Sequence, residues 1–192
     1  MRADARMTAV RAFVALPCPP LLRAAIARKI GEWKVLHTDV AWADPAASHA
    51  TLRFLGNAEP EALDRLTALL SESAGTADSV RARPGVTGAF PGWRRARVLW
   101  LALESGGAIE RVAASVEAAA RSAGFEADEH PFTAHLTLGR VRGRQGAPRA
   151  AAAVREWTPE GEAEPIPEMV LYRSDLGPQG ARHTPLARFP IG

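Results

Sequence analysis

The chain contains one short phrase twice. His49-Ala50-Thr51-Leu52 returns as His135-Leu136-Thr137-Leu138, 86 residues later (49 to 135). On a β-strand, residues i and i+2 share a face. His49 and Thr51 therefore point one way, as do His135 and Thr137, while Leu52 and Leu138 turn toward a core. Each copy sets an imidazole beside a hydroxyl. The surroundings repeat as well: a strand near residue 10, a helix and His49 are echoed by a strand near residue 98, a helix and His135. Two such α+β units related by a pseudo-twofold axis bring the two phrases face to face across a cleft.

Patterning fills in the units. Thr8 to Leu16 reads as a strand stopped by Pro19 and Pro20, and Leu22, Ile26 and Ile30 have helical spacing over 21–33, with Gly31 weakening the end. Val40 to Trp42 is a short strand. The first phrase ends at Gly56-Asn57. Pro60 between two glutamates then opens a helix with a Leu63, Leu66, Leu69, Leu70 stripe, closed by Gly75. Strand material at 79–83 and 86–90 is interrupted by Pro84-Gly85. A strand over 97–103 turns through Ser105-Gly106-Gly107 into a helix over 108–123. After Arg140 comes a basic loop, an alanine-rich helix over 149–157, and strands at 168–174 and 183–189. Residues 1–7 read as a leader to a single domain spanning 1–192.

Composition bounds the chemistry. The formal net charge is +3, and Lys29 and Lys34 are the only lysines among 24 basic residues. That balance permits a phosphate-bearing partner without requiring one. A single cysteine, Cys18, allows neither an intrachain disulfide nor a cysteine metal cluster. No run approaches the ~18 apolar residues of a membrane span, so a cytoplasmic monomer is the expectation. Two imidazoles flanking one centre suit in-line phosphoryl chemistry: the neutral one takes a proton from water, and the protonated one gives a proton to the departing oxygen. The threonine hydroxyls donate to the non-bridging oxygens. This scheme calls for no metal and no cofactor. His37 in a polar loop, His130 before a proline and His183 at the start of the last strand are expected at the surface. Arg94, Arg95, Arg142 and Arg144 lie on loops, where a phosphate-bearing partner and plain solvent are both open readings.

These residues also carry a family resemblance. The two phrases resemble the paired HXTX motifs of the 2H phosphoesterase superfamily. The wider chain resembles its RNA 2′,3′-cyclic phosphodiesterases, earlier named 2′-5′ RNA ligases, through Arg11-Ala12-Phe13-Val14-Ala15-Leu16, Phe54-Leu55-Gly56, Gly88-Ala89-Phe90-Pro91, Arg97-Val98-Leu99-Trp100, Pro131-Phe132-Thr133-Ala134, Val170-Leu171-Tyr172-Arg173-Ser174 and Leu186-Ala187-Arg188-Phe189-Pro190. The resemblance implies a bilobal α+β fold, two pseudo-symmetric lobes of antiparallel sheet with outer helices around a central cleft. It implies metal-independent hydrolysis of a terminal 2′,3′-cyclic phosphate to a 2′-phosphate. His49 would be the proton donor and His135 the proton acceptor; Thr51, Thr137 and Arg140 would hold the phosphate, and Phe13 would stack on the terminal base. Reversible 2′-5′ RNA ligation, a relative acting on small cyclic nucleotides, and a non-catalytic module that binds RNA ends are the alternatives. Strict alternation sets Arg140 on the face opposite His135, so it reaches the cleft only where the strand ends or twists. Phe13, sharing a face with Arg11 and Ala15, reads equally well as core.

Overall fold

The computed structural model describes residues 9–143, 147–177 and 180–192. The leader at 1–7 and Arg144 lie outside them. Nine strands and four helices follow in the order β1 (Val10–Pro17), α1 (Pro20–Leu36), β2 (Val40–Trp42), β3 (His49–Ala58), α2 (Pro60–Gly75), β4 (Val80–Phe90), β5 (Val98–Glu104), α3 (Ala108–Ser122), β6 (His135–Val141), α4 (Ala147–Arg155), β7 (Glu164–Ile166), β8 (Glu168–Gly177) and β9 (Gly180–Pro190). Two elements depart from the pattern-based reading. β4 runs unbroken through Pro84-Gly85, which only shift its register against β5 between Pro84 and Thr87. β7 was not anticipated. It is three residues long, carries Pro165, and pairs at an edge with Val80–Ala82, where a missing N–H costs least.

All pairings are antiparallel, and the sheet order is β7-β4-β5-β6-β3-β1-β8-β9, with β2 added on β6. The order is a palindrome about the β6–β3 junction. Exchanging β6 with β3, β5 with β1, β4 with β8 and β7 with β9 reproduces it, so the duplicated unit seen in the sequence becomes two lobes of one continuous sheet. The lobes join at a single pair, Ala50 opposite Leu136, each the residue that follows a motif histidine.

The helices lock the lobes together. α2 and α3 pack on each other, with α3 against β3 and α2 against β9, while α1 lies against β2 and α4 against β4. α3, from the second lobe, thus reaches behind β3 of the first, and α1, from the first, reaches β2, which pairs with β6 of the second. α1 begins with Pro20 at its first turn and buries Leu22, Ile26, Ile30 and Trp33. It continues through Gly31 to Leu36, because packing outweighs a single glycine's ~1 kcal/mol. The core runs continuously from lobe to lobe and includes Leu16, Leu66, Leu101, Leu136 and Leu138, each 0 % exposed. Each such leucine contributes about 1.5–3 kcal/mol. Cys18 is buried too, and burial pushes its thiol up to about 12, which removes it as a nucleophile. No helix among the described residues is long and apolar enough to cross a membrane.

Candidate active site

The antiparallel pairing of Ala50 with Leu136 fixes the site. One step either way sets His49 across from Thr137 and Thr51 across from His135, all on the face that the buried Ala50, Leu52, Leu136 and Leu138 leave free. The four polar side chains therefore form a diagonal pair of imidazoles and a diagonal pair of hydroxyls.

Beyond the threonines both strands carry a β-bulge at the same place. In the β1–β3 ladder, Ala15 faces Thr51 but Val14 faces Arg53; in the β5–β6 ladder, Trp100 faces Thr137 but Leu99 faces Gly139. The extra residue inverts the alternation that follows. Arg140, opposite Val98, is thereby returned to the face of His135 and Thr137, where simple alternation would not have put it. Its counterpart in the first lobe is Phe54, opposite Phe13 and 54 % exposed. The bulge residues themselves diverge. A Cβ on Gly139 would lie 2.6 Å from Val40 Cγ1, so glycine admits β2 there. Arg53 instead turns to the back of the sheet. Its Nε meets Glu117 Oε2 at 2.6 Å and its Nη1 lies 3.4 Å from Asp128 Oδ2. Nη1 also donates to Phe54 O at 2.7 Å, and Nη2 donates to Glu126 O. Arg53 thus ties the strand bearing His49 to the segment leading to His135.

Both histidines are fixed in the same tautomer. Nδ1–H donates to Ala47 O at 2.8 Å in His49 and to Thr133 O at 2.7 Å in His135, leaving each Nε2 for chemistry. Aromatic rings hold them. Phe13 stacks on His49 at 4.8 Å, with Tyr172 at 6.0 Å. Phe90 meets His135 edge-on at 5.2 Å, with Trp100 at 5.9 Å. Phe13 is 2 % exposed: the ring expected to stack on a base is covered, and stacks instead beneath the imidazole. Gly88 makes room for Trp100, whose ring occupies the space a Cβ there would need.

A third imidazole completes the cage. His183, read from the sequence as a surface residue, lies 5.2 Å from His49 and 4.9 Å from Phe13. β9 is three strands from β3, about 14 Å across a flat sheet, so this contact means that the sheet curls over the cleft. The pairing of its strand with the one before it was legible, and places His183 opposite Ser174; the curl was not. His37 and His130 make no contact with the pair, and His130 is 91 % exposed.

Burial governs the ionisation. It lowers His49 from 6.5 to about 4, opposed by the Ala47 carbonyl and reinforced by positive charge on His183 and His135. It lowers His135 as well, opposed by the Thr133 carbonyl and reinforced by Arg140, and burial alone lowers His183. All three imidazoles are therefore mainly neutral at pH 7. Among the described residues no three His, Cys, Asp or Glu side chains group as metal ligands. A concavity of about 640 Å³ lies away from the histidines, and its arginines are already engaged: Arg83 with Glu104, Arg81 with the Ala163 carbonyl.

This architecture is shared with known proteins. An RNA 2′,3′-cyclic phosphodiesterase of Archaeoglobus fulgidus is 35% identical over 148 residues, covering 76% of this chain and 81% of that protein. One from Methanothermobacter thermautotrophicus is 28% identical over 183 residues, covering 95% and 99%. Among solved structures, TT0787 of Thermus thermophilus superposes with a TM-score of 0.80 at 27% identity, covering 94% of this chain and 97% of that one. Escherichia coli LigT without ligand superposes at 0.72 with 23% identity, covering 96% and 98%. The model of the 2′-5′ RNA ligase superfamily matches residues 22–177. With its two His-x-Thr strands paired at the centre of a two-lobed antiparallel sheet, the chain belongs to the 2′-5′ RNA ligase superfamily, the 2H phosphoesterases.

Proposed function

We propose that the protein hydrolyses the 2′,3′-cyclic phosphate at RNA ends to a 2′-phosphomonoester, acting as a cytoplasmic monomer. The observation that carries this reading is the Ala50–Leu136 pair, which sets two imidazoles diagonally about one small space with a hydroxyl opposite each. Relatives named RNA 2′,3′-cyclic phosphodiesterase over most of the chain support it.

In this reading neutral His135 Nε2 takes the proton of a water in line with the P–O3′ bond. Water oxygen bonds to phosphorus, the P–O3′ bond breaks, and protonated His49 Nε2 gives its proton to O3′. The burial that lowers His49 makes its imidazolium the stronger acid once formed, and the anionic phosphate supplies the charge that keeps it protonated. Thr51 and Thr137 donate to the non-bridging oxygens, and Arg140, brought round by the bulge, offsets the charge that builds on them. Phe13 braces His49, and the exposed Phe54 takes the stacking role on the first-lobe wall. Ligation to a 2′-5′ bond is the second reading, favoured by the superfamily's description. It replaces water by an RNA 5′-hydroxyl and leaves every residue's role unchanged.

The test is to incubate the full chain, with and without EDTA, with a short RNA ending in 2′,3′-cyclic phosphate and to identify the product. A 2′-phosphate formed equally with chelator is expected. A 3′-phosphate would reverse the acid and base, and loss of activity with EDTA, restored by a divalent ion, would sink the metal-independent scheme.

A further inference from the structure

From Ser79 to Leu103, and again from His130 to Arg155, the sequence contains no Asp or Glu. The fold brings these two stretches together. Val141 N donates to Arg97 O at 2.9 Å, and the turn Trp93–Arg95 packs beneath α4, with the Arg155 guanidinium 5.9 Å over the Trp93 ring. Arg94, Arg95, Arg97, Arg140 and Arg142 are all exposed along these strand ends and this turn. The arginines that form ion pairs among the described residues are Arg53, Arg83, Arg173 and Arg188, and none of them belongs to this group. Asp39 lies beside Gly143, at the far end of this group.

The other lobe is a built-in comparison. The positions matching Arg97, Arg140 and Arg142 are Ala12, Phe54 and Gly56. At these three positions the charge therefore belongs to one wall only and does not follow from the repeat. It also starts inside the cleft, at Arg140, and runs outward.

We propose that this arginine track binds the phosphodiester backbone of a single-stranded RNA whose cyclic end occupies the cleft, so that the preferred substrate is an oligonucleotide and not a free nucleotide. The inference rests on the phosphodiesterase reading. On a ribose the base leaves from C1′ and the 5′ strand from C4′, on opposite sides of the cyclic phosphate, so a phenyl wall and an arginine wall are occupied together. An acidic protein partner fits less well, because protein interfaces centre on apolar and aromatic groups. The exposed large apolar residues, Leu21, Val35, Leu36, Phe54, Val86, Leu176 and Leu186, all lie off the track.

The experiment compares adenosine 2′,3′-cyclic phosphate with a hexanucleotide ending in the same group. In parallel, it measures binding of a labelled hexanucleotide ending in 3′-phosphate by fluorescence anisotropy. At 50 mM salt, kcat/KM for the hexanucleotide should exceed that for the nucleotide by at least ~10-fold. Three phosphates on the track give a log–log salt slope of about −2, close to a 20-fold loss between 50 and 200 mM. The triple variant Arg94→Gln/Arg95→Gln/Arg142→Gln should lose this advantage and keep nucleotide turnover, whereas Arg28→Gln/Arg111→Gln/Arg121→Gln, with the same change in charge, should keep both. Equal kcat/KM for the two substrates, or RNA binding unaffected by the first triple variant, overturns the proposal. Displacement of the labelled RNA by polyglutamate as readily as by oligouridylate of equal charge overturns it in favour of an acidic protein. If neither cyclic substrate is turned over, the phosphodiesterase reading fails by itself, and the anisotropy still decides the track.

Discussion

His49 makes acid a specific threat to this fold. Burial holds its imidazole at about 4, against 6.5 in a solvated chain. Between those values the unfolded chain binds a proton that the folded chain refuses, so folding stability is intact above pH 6.5 and declines as pH falls toward 4. Each pH unit of that gap is worth about 1.4 kcal/mol, and the partly open ring edge discounts the sum to about 2–3 kcal/mol. Replacing His49 by Gln removes the titration while leaving His135, His183 and the carboxylates in place. Urea denaturation at pH 7.5 and pH 4 should show the wild type losing about 2–3 kcal/mol more than His49→Gln over that interval. A difference below about 1 kcal/mol would refute the claim that the imidazole is desolvated.

Four further outcomes follow from the site. His49→Ala and His135→Ala should each lower kcat at least ~10²-fold with the thermal transition retained, the scale of general acid–base catalysis. Because burial lowers both imidazoles, the singly protonated pair thins out above pH 6.5, and kcat/KM should fall close to tenfold per pH unit there; a plateau to pH 8.5 would contradict this. Gly139→Ala drives a methyl toward Val40 Cγ1 and Trp42 Cε3, so chemical denaturation should show a loss of about 1–3 kcal/mol, together with reduced kcat/KM as Arg140 is displaced. Phe54→Ala, at an exposed position, should raise KM several-fold with kcat and melting temperature nearly unchanged.

The shared face of each histidine and threonine was legible in the sequence because it is local. Histidine and threonine two residues apart on a strand share a face wherever that strand lies, and the 86-residue offset already implied a twofold relation. Arg140 was ambiguous because the period-2 rule ends at a bulge. The clue was present in Gly139, an isolated glycine inside a strand, but its cause lies in β2, about a hundred residues earlier. Phe13 read equally well as core or as cleft and is both: it is buried, yet faces His49. His183 was beyond reach for a different reason. Its neighbour His49 is distant in sequence and three strands away, and hydrophobic patterning carries no information on how far a sheet curls.

The reach of α1 and α3 across the lobes has a consequence for handling the molecule. The sequence reads as two tandem units, yet α3 of the second lies behind β3 of the first, and α1 of the first meets β2, which pairs with β6 of the second. A fragment ending after α2 would expose the back of β3, which α3 covers, and would leave β2 without the strand it pairs with. The two units are thus interdependent, and calorimetry of the full chain should show one thermal transition.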